Sequence, residues 1–138
     1  MMTTHRRADR PLEWFLAGFS AVWGGSALFT SGLFSLAPYL QMLDRLTTVQ
    51  WAAISMALGA VHMIALLVNG TAWWTPILRL VTTSANAGFF AWIAAILFYS
   101  PDVGPAAMTY GYFALGFAWC AVAAGQDVAK MKLGTYGL

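Results

Sequence analysis

Residues 49–68 read VQWAAISMALGAVHMIALLV, twenty positions without a single Asp, Glu, Lys or Arg. A bilayer's hydrocarbon core, about 30 Å thick, takes about 20 apolar residues of α-helix to cross at 1.5 Å each. The run has that length. Asn69-Gly70 follows it, a pair suited to a helix stop and a turn through positive φ. The stretch is therefore read as a membrane span, and the rest of the chain is read outward from it.

Upstream, no residue from Trp14 to Leu43 is charged, and Pro38 disfavours helical geometry in the residue before it, which places a first span at about 14–36. Downstream, Thr75-Pro76 reads as an N-cap followed by proline at the first helical position. A third span then runs over about 76–99 until Ser100-Pro101-Asp102 breaks it, and its first turn carries Arg79. Gly104-Pro105 turns the chain into a fourth span over about 106–125, followed by a short polar tail with Lys130 and Lys132. Between the first two spans, Tyr39, Leu40, Leu43 and Leu46 recur at helical spacing while Gln41, Asp44 and Arg45 face elsewhere. That is the pattern of a short amphipathic helix, over 38–46, lying on the membrane surface. The expected fold is all-α: one integral-membrane domain, a four-helix bundle with a short interfacial helix between its first and second helices. The basic start and Ser35-Leu36-Ala37 also resemble a cleavable signal, but the apolar run exceeds the roughly 7–15 residues of a signal core, so the first helix is expected to be retained.

Composition agrees. Of 138 residues, 60% are hydrophobic and 9% charged, against about 25% charged in a soluble domain. A dispersed net charge of +2 builds no basic face for nucleic acid, so the expected medium and partner is the lipid bilayer. Arg6, Arg7, Arg10, Arg79, Lys130 and Lys132 fall on one side of these spans and only Arg45 on the other. Since Lys and Arg are retained in the cytoplasm, both termini are expected there, in an inner membrane crossed several times. Trp14, Trp51, Trp73, Trp74 and Tyr99 sit near span ends, where aromatic belts belong.

Ionisable groups within spans are costly and carry functional hypotheses. His62 lies six residues in from the end of the second span, roughly 9 Å deep. Ser20 lies six residues into the first span and Asn86 ten into the third, and Ser20, His62 and Asn86 are expected to share a polar layer. There an amide and a hydroxyl would satisfy both imidazole nitrogens. A wetted His62 that gates or relays protons is the functional alternative. Glu13 is read as a partner of the helix dipole at the start of the first helix.

Small residues mark close approach. Gly18, Gly25 and Gly32 recur every seven residues, joined by Ala21 and Ser35, and another helix is expected to nest on that face. Ser55 and Gly59, then Gly116, Cys120 and Ala124, repeat the small-xxx-small spacing of membrane helix pairs. Spacing leaves open whether the partner helix belongs to this chain or to another copy. Trp23, Trp92 and Trp119 read as packing or lipid-facing bulk. No cofactor or metal is expected: a bis-histidine haem needs a second buried histidine, and neither His5 nor His62 has a Cys or His at zinc-ligand spacing. Cys120 has no base beside it in sequence, so no enzymatic chemistry is expected.

Two resemblances bear on function. The small multidrug resistance transporters share four helices in a short chain and depend on a glutamate embedded in the first; Glu13 is the position that compares with it. The stretch from Ser35 to Trp92 carries a Pro-Tyr surface helix, Gly59 before an apolar run ending Val68-Asn69-Gly70, and then Thr75-Pro76-Ile77-Leu78-Arg79. It resembles small multi-pass membrane proteins encoded by tailed phages and prophages, with Trp73 and Trp74 where that family suggests basic residues. The resemblance implies the inner membrane of an infected bacterium and one of two jobs. The first is holin-like permeabilisation by a homo-oligomer; the second is exclusion of a competing phage by binding another membrane protein. A multidrug-type transporter is the third expectation.

Overall fold

The computed structural model describes residues 10–30, 32–69, 71–100 and 104–134. Every regular element among them is helical: α1 Pro11–Phe29, a 3-10 turn at Leu33–Ser35, α2 Ala37–Leu43, α3 Thr48–Leu67, α4 Thr75–Phe98 and α5 Pro105–Lys132. Proline occupies one of the first two positions of α1, α2, α4 and α5, where its missing N–H costs nothing and its fixed φ suits a helix start. At α3 a capping box does this work: Gln50 N–H donates to Thr47 Oγ1 at 3.3 Å and Thr47 N–H to Gln50 Oε1 at 2.9 Å. α1 packs along α3 and α4 along α5; contacts of α3 with α4 and α1 with α5 join the two pairs, and α2 rests on α4. Three helices, α3, α4 and α5, are long and apolar enough to cross a membrane.

Four sequence expectations need correction. The first helix ends at Phe29, not near Leu36: Thr30 turns extended and Gly32 takes φ +93°, a left-handed geometry no helix passes through. An uncharged run reports compatibility with lipid, not continuity of the helix. Thr75 does not cap α4; it is the first helical residue, and its hydroxyl donates back to the Ala72 carbonyl at 2.8 Å. α5 continues seven residues past Gly125, because nothing breaks it until Gly134 at φ +68°. On α2 the wholly buried residue is Met42, with Tyr39 half-buried, as is Leu46 in the turn that follows, whereas Leu40 and Leu43 point outward. Positions 39, 42 and 46 make one helical stripe, so the inward face is rotated from the expected one. The expected breaks at Gly70 and at Pro101-Asp102 lie outside the described residues, as do His5, Arg6 and Arg7.

The expected glycine face is also rotated. A Cβ added at Gly18 or Gly25 would meet nothing within 4 Å, and Gly32 lies beyond the end of α1. The close approach instead runs through Gly24, whose Cβ would fall 2.6 Å from the Ala52 carbonyl oxygen, and Gly59, whose Cβ would fall 2.8 Å from that of Ala17. The buried stripe of α1 is Glu13, Leu16, Ala17, Ser20, Trp23, Gly24 and Ala27, one helical face. Glycines 18 and 25 lie beside that stripe. At the α2 end the interior is aromatic: Trp23 meets Phe89, Phe90 and Tyr110 edge-to-face with ring centroids 6.0–6.2 Å apart.

Beside this apolar core, polar side chains are buried and large apolar ones are exposed. Ser20, Ser55, His62, Thr83 and Asn86 are fully buried, while Phe15, Val22, Leu67, Leu115 and Trp119 are exposed. In hydrocarbon, apolar side chains gain nothing by turning inward, so helices associate through close packing and through polar groups that must find partners inside.

Candidate functional site

The polar interior is built in levels. In one, α1, α3 and α4 meet through Ser20, Ser55 and Asn86. Ser55 Oγ donates to the Ser20 carbonyl at 2.7 Å, and Ser20 Oγ lies 3.0 Å from the Ser55 carbonyl oxygen and 2.9 Å from Asn86 Oδ1. The single hydroxyl proton of Ser20 serves one of those acceptors at a time. The amide nitrogen of Asn86 donates back to the Thr82 carbonyl at 2.9 Å and toward the Leu58 carbonyl at 3.4 Å. The structure thus joins Ser20 to Asn86, but the third partner is Ser55 rather than His62.

His62 belongs to the next level. Seven residues, close to two turns, separate Ser55 from His62 on α3, Ser20 from Glu13 on α1 and Asn86 from Arg79 on α4. Because α3 runs against α1 and α4, all three steps lead toward the same end of the molecule. Counting inward from the ends of apolar runs put His62 two turns too far along, since those ends are not level with one another.

At that second level lies the densest chemistry of the chain. Arg79 is 1% exposed and presents its guanidinium edge to Glu13: Nε donates to Oε2 at 3.0 Å and Nη2 to Oε1 in a short bond. Its remaining nitrogen, Nη1, donates to Asp127 Oδ2 on α5 at 2.9 Å, and Arg10 Nη2 reaches the same oxygen at 3.4 Å. Two guanidiniums and two carboxylates balance in charge. Glu13 is enclosed, while a quarter of the Asp127 side chain is exposed. A planar fork with several fixed donors is the group best suited to hold two carboxylates at once. His62, wholly buried, places Nε2 3.8 Å from Glu13 Oε2, beyond hydrogen-bond reach, and neither ring nitrogen has a partner among the described residues. Phe117 flanks its ring, centroid to centroid 5.8 Å.

Sequence reasoning treated each member of this cluster locally. Glu13 is not merely a dipole partner but half of a buried bidentate ion pair; Arg79 is not only a basic residue in the first turn of the third span but a core residue; Asp127 has no local feature that marks it. The available signal was positional: an acid at the start of the first helix, a base at the start of the third and an acid in the last turns of the fourth meet when neighbouring helices alternate in direction. The packing candidates divide as well. Ser55 is part of the polar level, Gly59 is pressed on α1 backbone, Gly116 faces Leu16 so closely that an added Cβ would fall 3.3 Å from its Cδ1, and Cys120 is buried; Gly18 and Gly25 have open space beside them.

No three His, Cys, Asp or Glu side chains among the described residues group to hold a metal. Chemically, the cluster is a clamp: it ties α1, α4 and α5 together at one end, with α3 contributing the unbonded imidazole. Compared with protein-family models, curated proteins and solved structures, the chain matches none.

Proposed function

We propose that this chain is an integral-membrane four-helix bundle of a bacterial inner membrane, with both termini cytoplasmic and α2 in the opposite interface. It acts without catalysis, by self-association that permeabilises the membrane in the manner of a holin. The setting is the one implied by the resemblance of residues 35–92 to phage-encoded membrane proteins. As the fourth span, α1 has 19 residues, about 28 Å at 1.5 Å each, close to the hydrocarbon thickness.

The observation that carries the reading is the division of α1 into two small-residue faces. Gly24 is used up against α3, whereas Gly18 and Gly25 open outward beside exposed Val22. Outward glycines let a second helix backbone come close, which is how membrane helices associate without a hydrophobic driving force. Within one chain the interior is filled by the aromatic cluster and by bonded polar levels, so a permeation path must form between copies. The transporter reading gains nothing: both oxygens of Glu13 are held by Arg79, the reverse of a carboxylate that trades a proton for a cationic substrate. Exclusion of a competing phage through a membrane partner is the second reading, favoured by α2, whose Leu40 and Leu43 stand exposed together with Leu36 just before it.

Induced expression in a bacterium separates them. Abrupt collapse of the membrane potential, delayed or abolished by Gly18→Leu and Gly25→Leu, is the expected result. Normal growth with resistance to a second phage would instead select exclusion.

A further inference from the structure

At the α2 end of the molecule a cleft of about 370 Å³ opens between α2 and α4, lined by Gln41, Asp44, Arg45, Trp92, Ile96 and Tyr99 among others. Its chemistry is unusual for this chain. Asp44 and Arg45, adjacent and opposite in charge, form no ion pair with each other or with any described residue. Both are exposed, as are the Trp92 and Tyr99 side chains. A site that offers one free cation, one free anion and two aromatic rings matches a ligand that carries both charges itself.

The cleft does not end there. Ala95 and Tyr99 also line a second hollow, of about 400 Å³, and that one shares Ala94 and Gly111 with a third of about 560 Å³. The third is walled by Ala87, Gly88, Ala91, Ala114 and Ala118 with only Leu115 as bulk. Small residues on both helices thus leave a row of adjoining apolar hollows, a shallow groove between α4 and α5. From Tyr99 back to Ala87 it spans twelve residues of helix, about 18 Å.

We propose that this composite site holds one zwitterionic phospholipid of the bilayer. Arg45 takes the phosphodiester, Asp44 takes the ammonium between the Trp92 and Tyr99 rings, and an acyl chain lies in the alanine groove toward the middle of the membrane. Asp44 disfavours a purely anionic headgroup, and the groove gives a lipid what a free headgroup cannot use. The assignment depends on the membrane reading but not on self-association.

Native mass spectrometry of delipidated protein in detergent tests it, with phosphatidylethanolamine, phosphatidylglycerol and soluble phosphoethanolamine as probes. One phosphatidylethanolamine should be retained, roughly tenfold more tightly than phosphatidylglycerol, and phosphoethanolamine far more weakly than either. Asp44→Asn should erase the preference. Arg45→Gln should weaken both lipids roughly tenfold. Gly88→Leu and Gly111→Leu, where an added Cβ meets nothing within 4 Å, fill the groove without disturbing the fold and should weaken both lipids alike. Equal retention of the two lipids, or a preference untouched by Asp44→Asn, overturns the proposal; so does phosphoethanolamine binding as tightly as the lipid, which would mark a site for a free zwitterion. Failure of the membrane reading would show separately, as a polypeptide that stays monodisperse without detergent.

Discussion

Arg79→Met keeps an unbranched apolar stem that reaches about as far as Nε and removes the fork that holds two carboxylates. Glu13, 4% exposed, would then have no hydrogen-bond donor, since Arg79 supplies both of its bonds and His62 stands 3.8 Å off. Stranding one member of a buried pair costs on the order of 3–5 kcal/mol. Asp127 loses less, about 0–1 kcal/mol, because a quarter of its side chain is exposed and Arg10 remains 3.4 Å away. The expected loss is therefore about 3–5 kcal/mol, carried almost wholly by Glu13. Reversible unfolding in mixed detergent and SDS micelles, followed by far-UV circular dichroism, measures it. The double variant Arg79→Met with Glu13→Leu should recover most of the loss, because a buried ion pair replaced by apolar groups is often neutral. A loss under about 1 kcal/mol for Arg79→Met, or a double variant no more stable than the single, would refute the reasoning.

Five other substitutions read the interior by the same unfolding assay. Gly59→Ala should destabilise by about 1–3 kcal/mol, since its Cβ would press on α1 backbone, 2.8 Å from the Ala17 carbonyl oxygen; Gly18→Ala and Gly25→Ala should be neutral or slightly stabilising. Equal effects at all three glycines would contradict the assigned packing face. His62→Leu should leave the unfolding midpoint unchanged or raise it, because the imidazole nitrogens are buried without partners; a large loss would mean that they are bonded after all. Ser20→Ala leaves Asn86 Oδ1 without a donor and should cost about 1–3 kcal/mol, and an unchanged midpoint would show that the serine–asparagine level does not bind the helices.

What the sequence makes legible follows from the kind of signal each feature has. The starts of α4 and α5 stand near Pro76 and Pro105 as the local chemistry dictates, and α3 occupies nearly the stretch 49–68, because each is set by residues within a turn of the boundary. The end of α1 is not legible in that way: the charge-free run continues past Phe29, and only the backbone, extended at Thr30 and left-handed at Gly32, reveals the stop. Period-seven glycines point to a close-packed face, but Gly24, outside that period and one residue before Gly25, is the one pressed on α3, since periodicity gives a spacing and not a direction. Least visible was the ionic clamp. Glu13 lies 66 residues from Arg79, and Arg79 lies 48 from Asp127, so their pairing exists only once three helices are set side by side. Each charge alone had a sufficient local explanation, which hid the shared one.

The account rests on hydrocarbon lying against the outward faces. Spin labels at Val22→Cys, Leu67→Cys and Leu115→Cys, in a Cys120→Ser background reconstituted in phospholipid vesicles, measure this directly through collision with oxygen and with a water-soluble nickel complex. Oxygen should dominate at all three exposed sites. Labels reached freely by nickel at these positions would place water where this account places lipid.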